Sequence, residues 1–267
     1  MPEGDTIARA ARTLARALEG REILRFRSPL PALAGADLAG HAIARVESRG
    51  KHLLIHFDDG RVLHSHMRMT GSWHVYRPGE AWWKPERLAR AVIETADFVA
   101  VCFNAPVVEL LAAGELARHP ALRRLGPDVL GERFDSGGAR SRLRALPDVP
   151  IGEALLAQSA LAGIGNIYKS EALFATMTNP FVPVGRLTDA EIDAVVEAAR
   201  RMMAASVSSQ ASRRTRAGPP GSPRYAVYRR SGLPCPSCGT AIRMRRQGDA
   251  GRSTYWCPAC QRASAGP

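Results

Sequence analysis

Cys235-Pro-Ser-Cys238 and Cys257-Pro-Ala-Cys260 are two C-x2-C knuckles separated by eighteen residues. Each knuckle brings two thiolates within reach of one ion, and two knuckles complete the tetrahedron that structural zinc adopts. Four thiolates leave no open coordination position, so the spacing predicts one structural Zn2+ and not a catalytic one. A redox pair needs only one knuckle, and two disulfides are a poor alternative in a reducing compartment. The segment from Ile242 to Trp256 is expected to form a β-hairpin presenting Arg243, Arg245, Arg246 and Arg252. A zinc ribbon for protein contact is the competing reading, and the arginine density argues against it.

The charge around these knuckles is lopsided. The chain carries 37 basic and 25 acidic residues, a net +12. From Ala211 to Pro267 there are eleven arginines, no lysine and one acid, Asp249, so nearly all the excess lies in the last fifth of the chain. Four thiolates with one divalent ion subtract two charges and leave the segment strongly positive. That favours a polyanionic partner, and guanidinium suits bidentate phosphate contact. No apolar run approaches the roughly 18 residues that span a bilayer. The start, MPEGDTIARAARTL, carries acids at once and lacks a signal peptide's apolar core. A cytoplasmic protein with reduced thiols and no membrane partner is expected.

Nearly half the residues are hydrophobic, which implies a folded chain. Residues 5–19 read as a helix, with Ile7, Ala11, Leu14 and Leu18 on one face and Gly20 as its stop. Short β-type segments follow at 22–26, 41–46, 52–57, 61–67, 72–76 and 91–103, separated by turns such as Asp58-Asp59-Gly60 and Arg77-Pro78-Gly79. That spacing suggests an antiparallel sandwich or barrel. Cys102, alone in an apolar strand, reads as a buried structural thiol. From about Ala112 the pattern turns helical. One apolar stretch starts at Pro150-Ile151-Gly152-Glu153, and another helix runs from Asn166 to about Phe174. Thr188-Asp-Ala-Glu191 is a capping box ahead of a helix to about Ala205. Residues 206–223 read as a flexible basic loop.

The first residues carry a chemical possibility. A proline at position 2 allows removal of the initiator methionine, exposing a secondary amine. An α-amino group titrates near ~7.7–8.0, against ~10.4 for lysine, so an appreciable fraction is neutral at physiological pH. Condensed with an aldehyde-level carbon, a secondary amine gives an iminium that cannot shed its charge by losing an N–H. Glu3, an acid beside that amine, makes the start more specific.

Four segments together resemble the formamidopyrimidine-DNA glycosylase / endonuclease VIII family, closer to the endonuclease VIII branch. They are Pro2-Glu3-Gly4-Asp5-Thr6, Arg49-Gly50-Lys51-His52-Leu53-Leu54, Leu161-Ala-Gly-Ile-Gly-Asn166-Ile-Tyr168, and the finger with Arg252 ahead of Tyr255-Trp256-Cys257. The resemblance implies an α+β fold. An N-terminal antiparallel β-sandwich with a flanking helix would occupy residues 1–114. A helical domain with a helix–two-turn–helix would span 115–223, and a zinc-finger β-hairpin 224–267.

It also implies a bifunctional glycosylase and abasic-site lyase of base excision repair, acting on oxidised bases, pyrimidines above all. In that reading Pro2 is the nucleophile, Glu3 the proton donor in sugar opening, Lys51 a catalytic lysine at phosphate or sugar, and Arg252 the phosphate-binding arginine of δ-elimination. Asn166 would hold a phosphate at a helix start; from the residues alone it reads as a helix cap. Arg68 and Met69 belong to the loop that fills the gap left by an extruded base, with Met69 the wedge. Core alternation of Met67 and Met69 is the competing reading. This loop, Arg68-Met69-Thr70, is nearer the formamidopyrimidine branch. Arg124 matches a phosphate-contact position. The expected partner is damaged DNA, bound by a monomer near the bacterial nucleoid. The alternative is a non-catalytic zinc-finger protein that binds damaged or abasic DNA.

Overall fold

The computed structural model describes residues 2–209, 215 and 223–262, and divides into two compact units, Met1–Arg124 and Leu125–Pro267. Among the described residues no helix is long and apolar enough to cross a membrane.

The first unit opens with helix α1 (Gly4–Leu18). Ile7, Ala11, Leu14 and Leu18 recur at helical spacing and are all buried, as the sequence predicts. Eight strands follow: β1 (Arg25–Arg27), β2 (Ile43–Arg49), β3 (His52–Phe57), β4 (Val62–His66), β5 (Ser72–Tyr76), β6 (Ala89–Glu94), β7 (Val99–Phe103) and β8 (Val107–Leu111). They form two antiparallel four-stranded sheets, β1-β6-β7-β5 and β2-β3-β4-β8. One core joins α1 to both sheets through residues such as Leu53, Ile55, Leu63, Ala91, Ile93 and Cys102. In β6 and β7 the alternate residues Val92, Val101 and Phe103 point to a second cluster with Tyr76 and Trp82. That sheet is therefore covered on both faces, and its strands read as unbroken apolar runs.

Two sequence expectations change here. The single strand expected over 91–103 is a hairpin, because the Thr95 N–H donates to the Phe98 carbonyl (2.9 Å) and the chain reverses. A thirteen-residue strand would also exceed the usual 3–10 residues. Strand β8 ends at Leu111, and the stretch from Ala112 to Asp135 is turns instead of helix. It is held locally, as where Glu115 takes the Ala112 N–H on its carboxylate (2.7 Å).

The second unit holds α2 (Ser136–Arg144), α3 (Ile151–Ala154), α4 (Asn166–Ala175), α5 (Asp189–Ser208) and a hairpin of β9 (Arg243–Gln247) and β10 (Arg252–Trp256). The apolar stretch at 151 makes only one helical turn before two further turns lead into α4. Leu155, Leu161, Ile164 and Tyr168 pack there with Ile192, Val195 and Met203 of α5. Gly163 sits at φ 104, a conformation that side-chain-bearing residues avoid. The capping box forms as read: the Thr188 hydroxyl accepts from Glu191 N–H, and the Glu191 carboxylate accepts from Thr188 N–H. Of the expected loop, 206–208 is the end of α5; most of the remainder lies outside the described residues.

Candidate functional site

Pro2 is half-buried and leads directly into α1. Glu3, wholly buried, is the residue ahead of the first helical turn, and its carbonyl accepts from Thr6 and Ile7 N–H (2.9 and 3.2 Å). This end of a fifteen-residue helix carries the partial positive charge of the helix dipole. Asp5 is buried in the same turn.

Lys51 stands in the two-residue turn between β2 and β3, where Arg49 pairs with His52. Gly50, at φ 60, supplies the left-handed conformation such a turn needs. Lys51 is half-buried. After β4 the chain makes the turn 67–71, closed by Gly71 N–H donating to the Met67 carbonyl (2.8 Å). Thr70 ties this turn to the Asn104 carbonyl (3.0 Å). Arg68 sits at φ 44 and donates its N–H to His66 Nδ1 (3.1 Å). That left-handed residue breaks the strand alternation, so Met67 is buried at 2 % exposure while Met69 is 61 % exposed. Burial, supported by the charges of Arg68, His64 and Lys51, pushes the His66 imidazole down to about 4. Lys51 and Arg68 thus share one electrostatic neighbourhood around a neutral His66. Arg124, exposed, closes this unit.

In the second unit, Asn166 is the first residue of α4 and is not its cap; that position is Gly165, with no side-chain capping bond. Asn166 is 5 % exposed and its Oδ1 is buried with no hydrogen-bond partner. Arg252 is exposed at the start of β10, opposite Gln247, and Arg243, Arg245 and Arg246 are exposed on β9. Lys169 of α4, wholly buried, donates from Nζ to the Ser253 carbonyl (3.1 Å) and Thr254 Oγ1 (2.8 Å). The helix that starts at Asn166 and the strand that starts at Arg252 are therefore joined by a buried ammonium.

Cys235, Cys238, Cys257 and Cys260 converge with all four sulfurs within 4.8 Å of one another. The Cys235–Cys260 and Cys238–Cys257 sulfurs lie 3.9 and 3.5 Å apart. A tetrahedral ion with Zn–S near 2.3 Å requires edges of about 3.8 Å, so the set fits. Backbone N–H groups of Ser237 and Cys260 point at the sulfurs of Cys235 and Cys257 (3.4 and 3.5 Å), which stabilises thiolates. These residues hold one structural zinc.

Family profiles match almost the whole chain: the formamidopyrimidine-DNA glycosylase N-terminal domain over residues 1–106, the formamidopyrimidine-DNA glycosylase H2TH domain over 125–217, and the zinc finger found in FPG and IleRS over 232–263. A Streptomyces coelicolor protein named "Probable endonuclease 8 2" is 43 % identical over 100 % of this chain and 95 % of its own length. The chain belongs to the formamidopyrimidine-DNA glycosylase / endonuclease 8 family. Another relative in that family, the Mycolicibacterium smegmatis "DNA-(apurinic or apyrimidinic site) lyase Nei2", is 40 % identical over 99 % of this chain and all of its own length. The crystal structure of the formamidopyrimidine-DNA glycosylase (MutM) of Thermus thermophilus is 32 % identical, with a TM-score of 0.78, over 97 % of this chain and 98 % of that one.

Three features of this family member went unread in the sequence. Lys169 is one. Another is Glu171, 2 % exposed, whose carboxylate takes the N–H groups of Ala226, Val227 and Tyr228 (2.7, 2.9 and 2.8 Å) and the Thr215 hydroxyl (2.5 Å). The third is a histidine network. His52 Nδ1 meets His64 Nε2 (2.8 Å), and Glu109 Oε1 meets both His64 Nδ1 (2.7 Å) and His119 Nε2 (3.0 Å). Burial, with the charges of His66 and His64 in support, pushes His52 down to about 3. The i, i+2 spacing of His64 and His66 signals a shared face; their partners follow only from strand register.

Proposed function

We propose that the chain is a bifunctional DNA glycosylase and abasic-site lyase that removes oxidised bases, pyrimidines above all, and nicks the strand by β- and δ-elimination. The observation that carries this reading is Pro2, half-buried beside the wholly buried Glu3 at the head of α1, in a member of a DNA glycosylase family. With Met1 removed, the Pro2 nitrogen attacks C1′ of the damaged nucleoside. The base departs with the bonding pair, and loss of the ring oxygen from C1′ leaves an iminium. Glu3 delivers the proton that the opening sugar oxygen takes up. The positive end of α1 disfavours a protonated amine there and favours the nucleophilic form. Loss of a C2′ proton to water, its bonding pair flowing toward the iminium, sets up β-elimination that expels the 3′ phosphate, and a second elimination expels the 5′ phosphate.

The other site residues serve placement. Met69, exposed beside the left-handed Arg68, is available to occupy the space of an extruded base, which offsets part of the few kcal/mol lost in unstacking. Lys51 and Arg124 in the first unit, and Asn166 and Arg252 in the second, bind phosphate. Asn166 stands in the first turn of α4, whose positive dipole end favours an anion, and its buried Oδ1 has no hydrogen-bond partner.

Borohydride trapping on abasic-site DNA tests the nucleophile. The wild-type protein is expected to form a covalent adduct, and Pro2→Gly or an N-terminally blocked protein to lose most of it. The chain has only three lysines, Lys51, Lys84 and Lys169. Full trapping by the blocked protein would move the chemistry to one of these amines. Binding of abasic DNA without scission would establish a non-catalytic binder instead. Paired duplexes carrying thymine glycol or 8-oxoguanine read the preferred base.

A further inference from the structure

The proposed chemistry leaves the histidine network of the first unit without a task. His64 on β4 and Glu109 on β8 are direct cross-strand partners, and His119 comes from the turns after β8. One ring nitrogen from each of His64 and His119 and a Glu109 oxygen all lie within 4.8 Å of one another. The side chains are 1 %, 14 % and 36 % exposed, so the site is walled on the His64 side and reachable on the Glu109 side.

We propose that His64, Glu109 and His119 form a second metal site, for a divalent transition ion of the zinc, cobalt or nickel class. One carboxylate oxygen accepts from both imidazoles, at 2.7 and 3.0 Å, and a cation can replace the two bridging protons. Each ring then carries its proton on the other nitrogen, so both imidazoles stay neutral. Bonds of about 2.0–2.1 Å set tetrahedral edges near 3.3 Å, a spread of a few tenths of an ångström from the present contacts. Two imidazoles and a carboxylate favour borderline ions over magnesium or calcium, which take all-oxygen sets.

Two further observations support the site. His52 Nδ1 lies 2.8 Å from His64 Nε2, the outer hydrogen bond that orients most metal-bound histidines. The His119 ring, whose Nε2 meets the same Glu109 oxygen (3.0 Å), packs edge-on to the His64 ring with centroids 5.1 Å apart, so both imidazoles already converge on one oxygen. Three ligands leave a fourth position, toward the exposed edge of Glu109, for water. An ion here would pin β4 and β8 to the turn in which the His119 carbonyl accepts from Leu122 and Arg123 N–H (3.1 and 3.0 Å). That turn carries Arg123 and Arg124.

The test uses the full chain with its finger loaded with one zinc, titrated with Co2+ while total metal per chain is counted. A second equivalent is expected, giving visible d–d absorption without thiolate charge transfer. It is expected to vanish in His119→Ala and in Glu109→Gln. In the unmodified protein, the bound Co2+ should also produce two paramagnetically shifted imidazole N–H resonances, a readout that needs no variant to fold. Saturation at one metal per chain overturns the proposal. So does a second equivalent without those resonances, or one that both variants retain; either places the ion elsewhere, for example at the more exposed group His41, Asp58 and Asp59.

Discussion

Replacing Glu171 by Gln should loosen the whole second unit. Its carboxylate is buried and divides four donors between two oxygens: Val227 and Tyr228 N–H on one, Ala226 N–H and the Thr215 hydroxyl on the other. Glutamine keeps one acceptor oxygen. If that oxygen serves Val227 and Tyr228, its amide N–H faces the Ala226 N–H, donor against donor. The variant forfeits a charge-assisted hydrogen bond, worth about 1.5–3 kcal/mol, and strands a buried donor at about 1–3 kcal/mol. Partial relaxation, including rotation of the Thr215 hydroxyl, brings the expected loss to about 3 kcal/mol. At about 2–4 °C per kcal/mol for a unit of this size, melting falls by about 6–12 °C. Calorimetry on zinc-loaded protein reads the shift, with exposed Glu197→Gln on α5 as a control expected within about 0.5 kcal/mol of wild type. Melting of the Glu171 variant within about 1 °C of wild type would refute the assignment of those three N–H groups to one buried charge.

Gly71→Ala would bring a Cβ to 2.7 Å from Met67 backbone atoms and 2.9 Å from Ala105 Cα, so the turn carrying Arg68 and Met69 must shift; a loss of about 1–3 kcal/mol is expected, checked by urea unfolding. Thiol chemistry should separate the five cysteines. Burial pushes Cys102 up to about 12, so at pH 8 almost none is thiolate, and iodoacetamide should leave it intact until the chain is denatured. Chelation of the zinc should release the other four to alkylation at once, counted by mass spectrometry.

The parts legible in the sequence are those encoded locally. The apolar face of α1, the capping box of α5 and the knuckle spacing each depend on neighbours a few residues apart, and each forms as read. The hairpin of β6 and β7 was hidden because both faces of that sheet are covered, which erases the alternation that marks a strand's end. The turns after Leu111 carry enough Ala, Leu and Arg to imitate a helix. Met67 and Met69 shared one face on paper, and only the left-handed Arg68 separates them. The His52, His64, Glu109 and His119 network spans three strands and a turn, so pairing register creates it, and no segment contains it. Lys169 likewise gives no local sign of burial; its partners lie more than eighty residues away.

That ammonium bears on how such a chain can be cut and recombined. Lys169 ends on Ser253 and Thr254, the Thr254 hydroxyl donates a hydrogen bond to Gln247 Oε1 (2.7 Å), and Gln247 Nε2 donates onward to the Pro180 carbonyl (3.0 Å). Shorten the chain before the hairpin, or graft on a foreign one, and the buried Lys169 loses two acceptors, the Ser253 carbonyl and the Thr254 hydroxyl, whose loss costs desolvation energy. The finger is thus no detachable module. Any lineage or engineer that trades it away gains by keeping acceptors at the positions of Ser253 and Thr254.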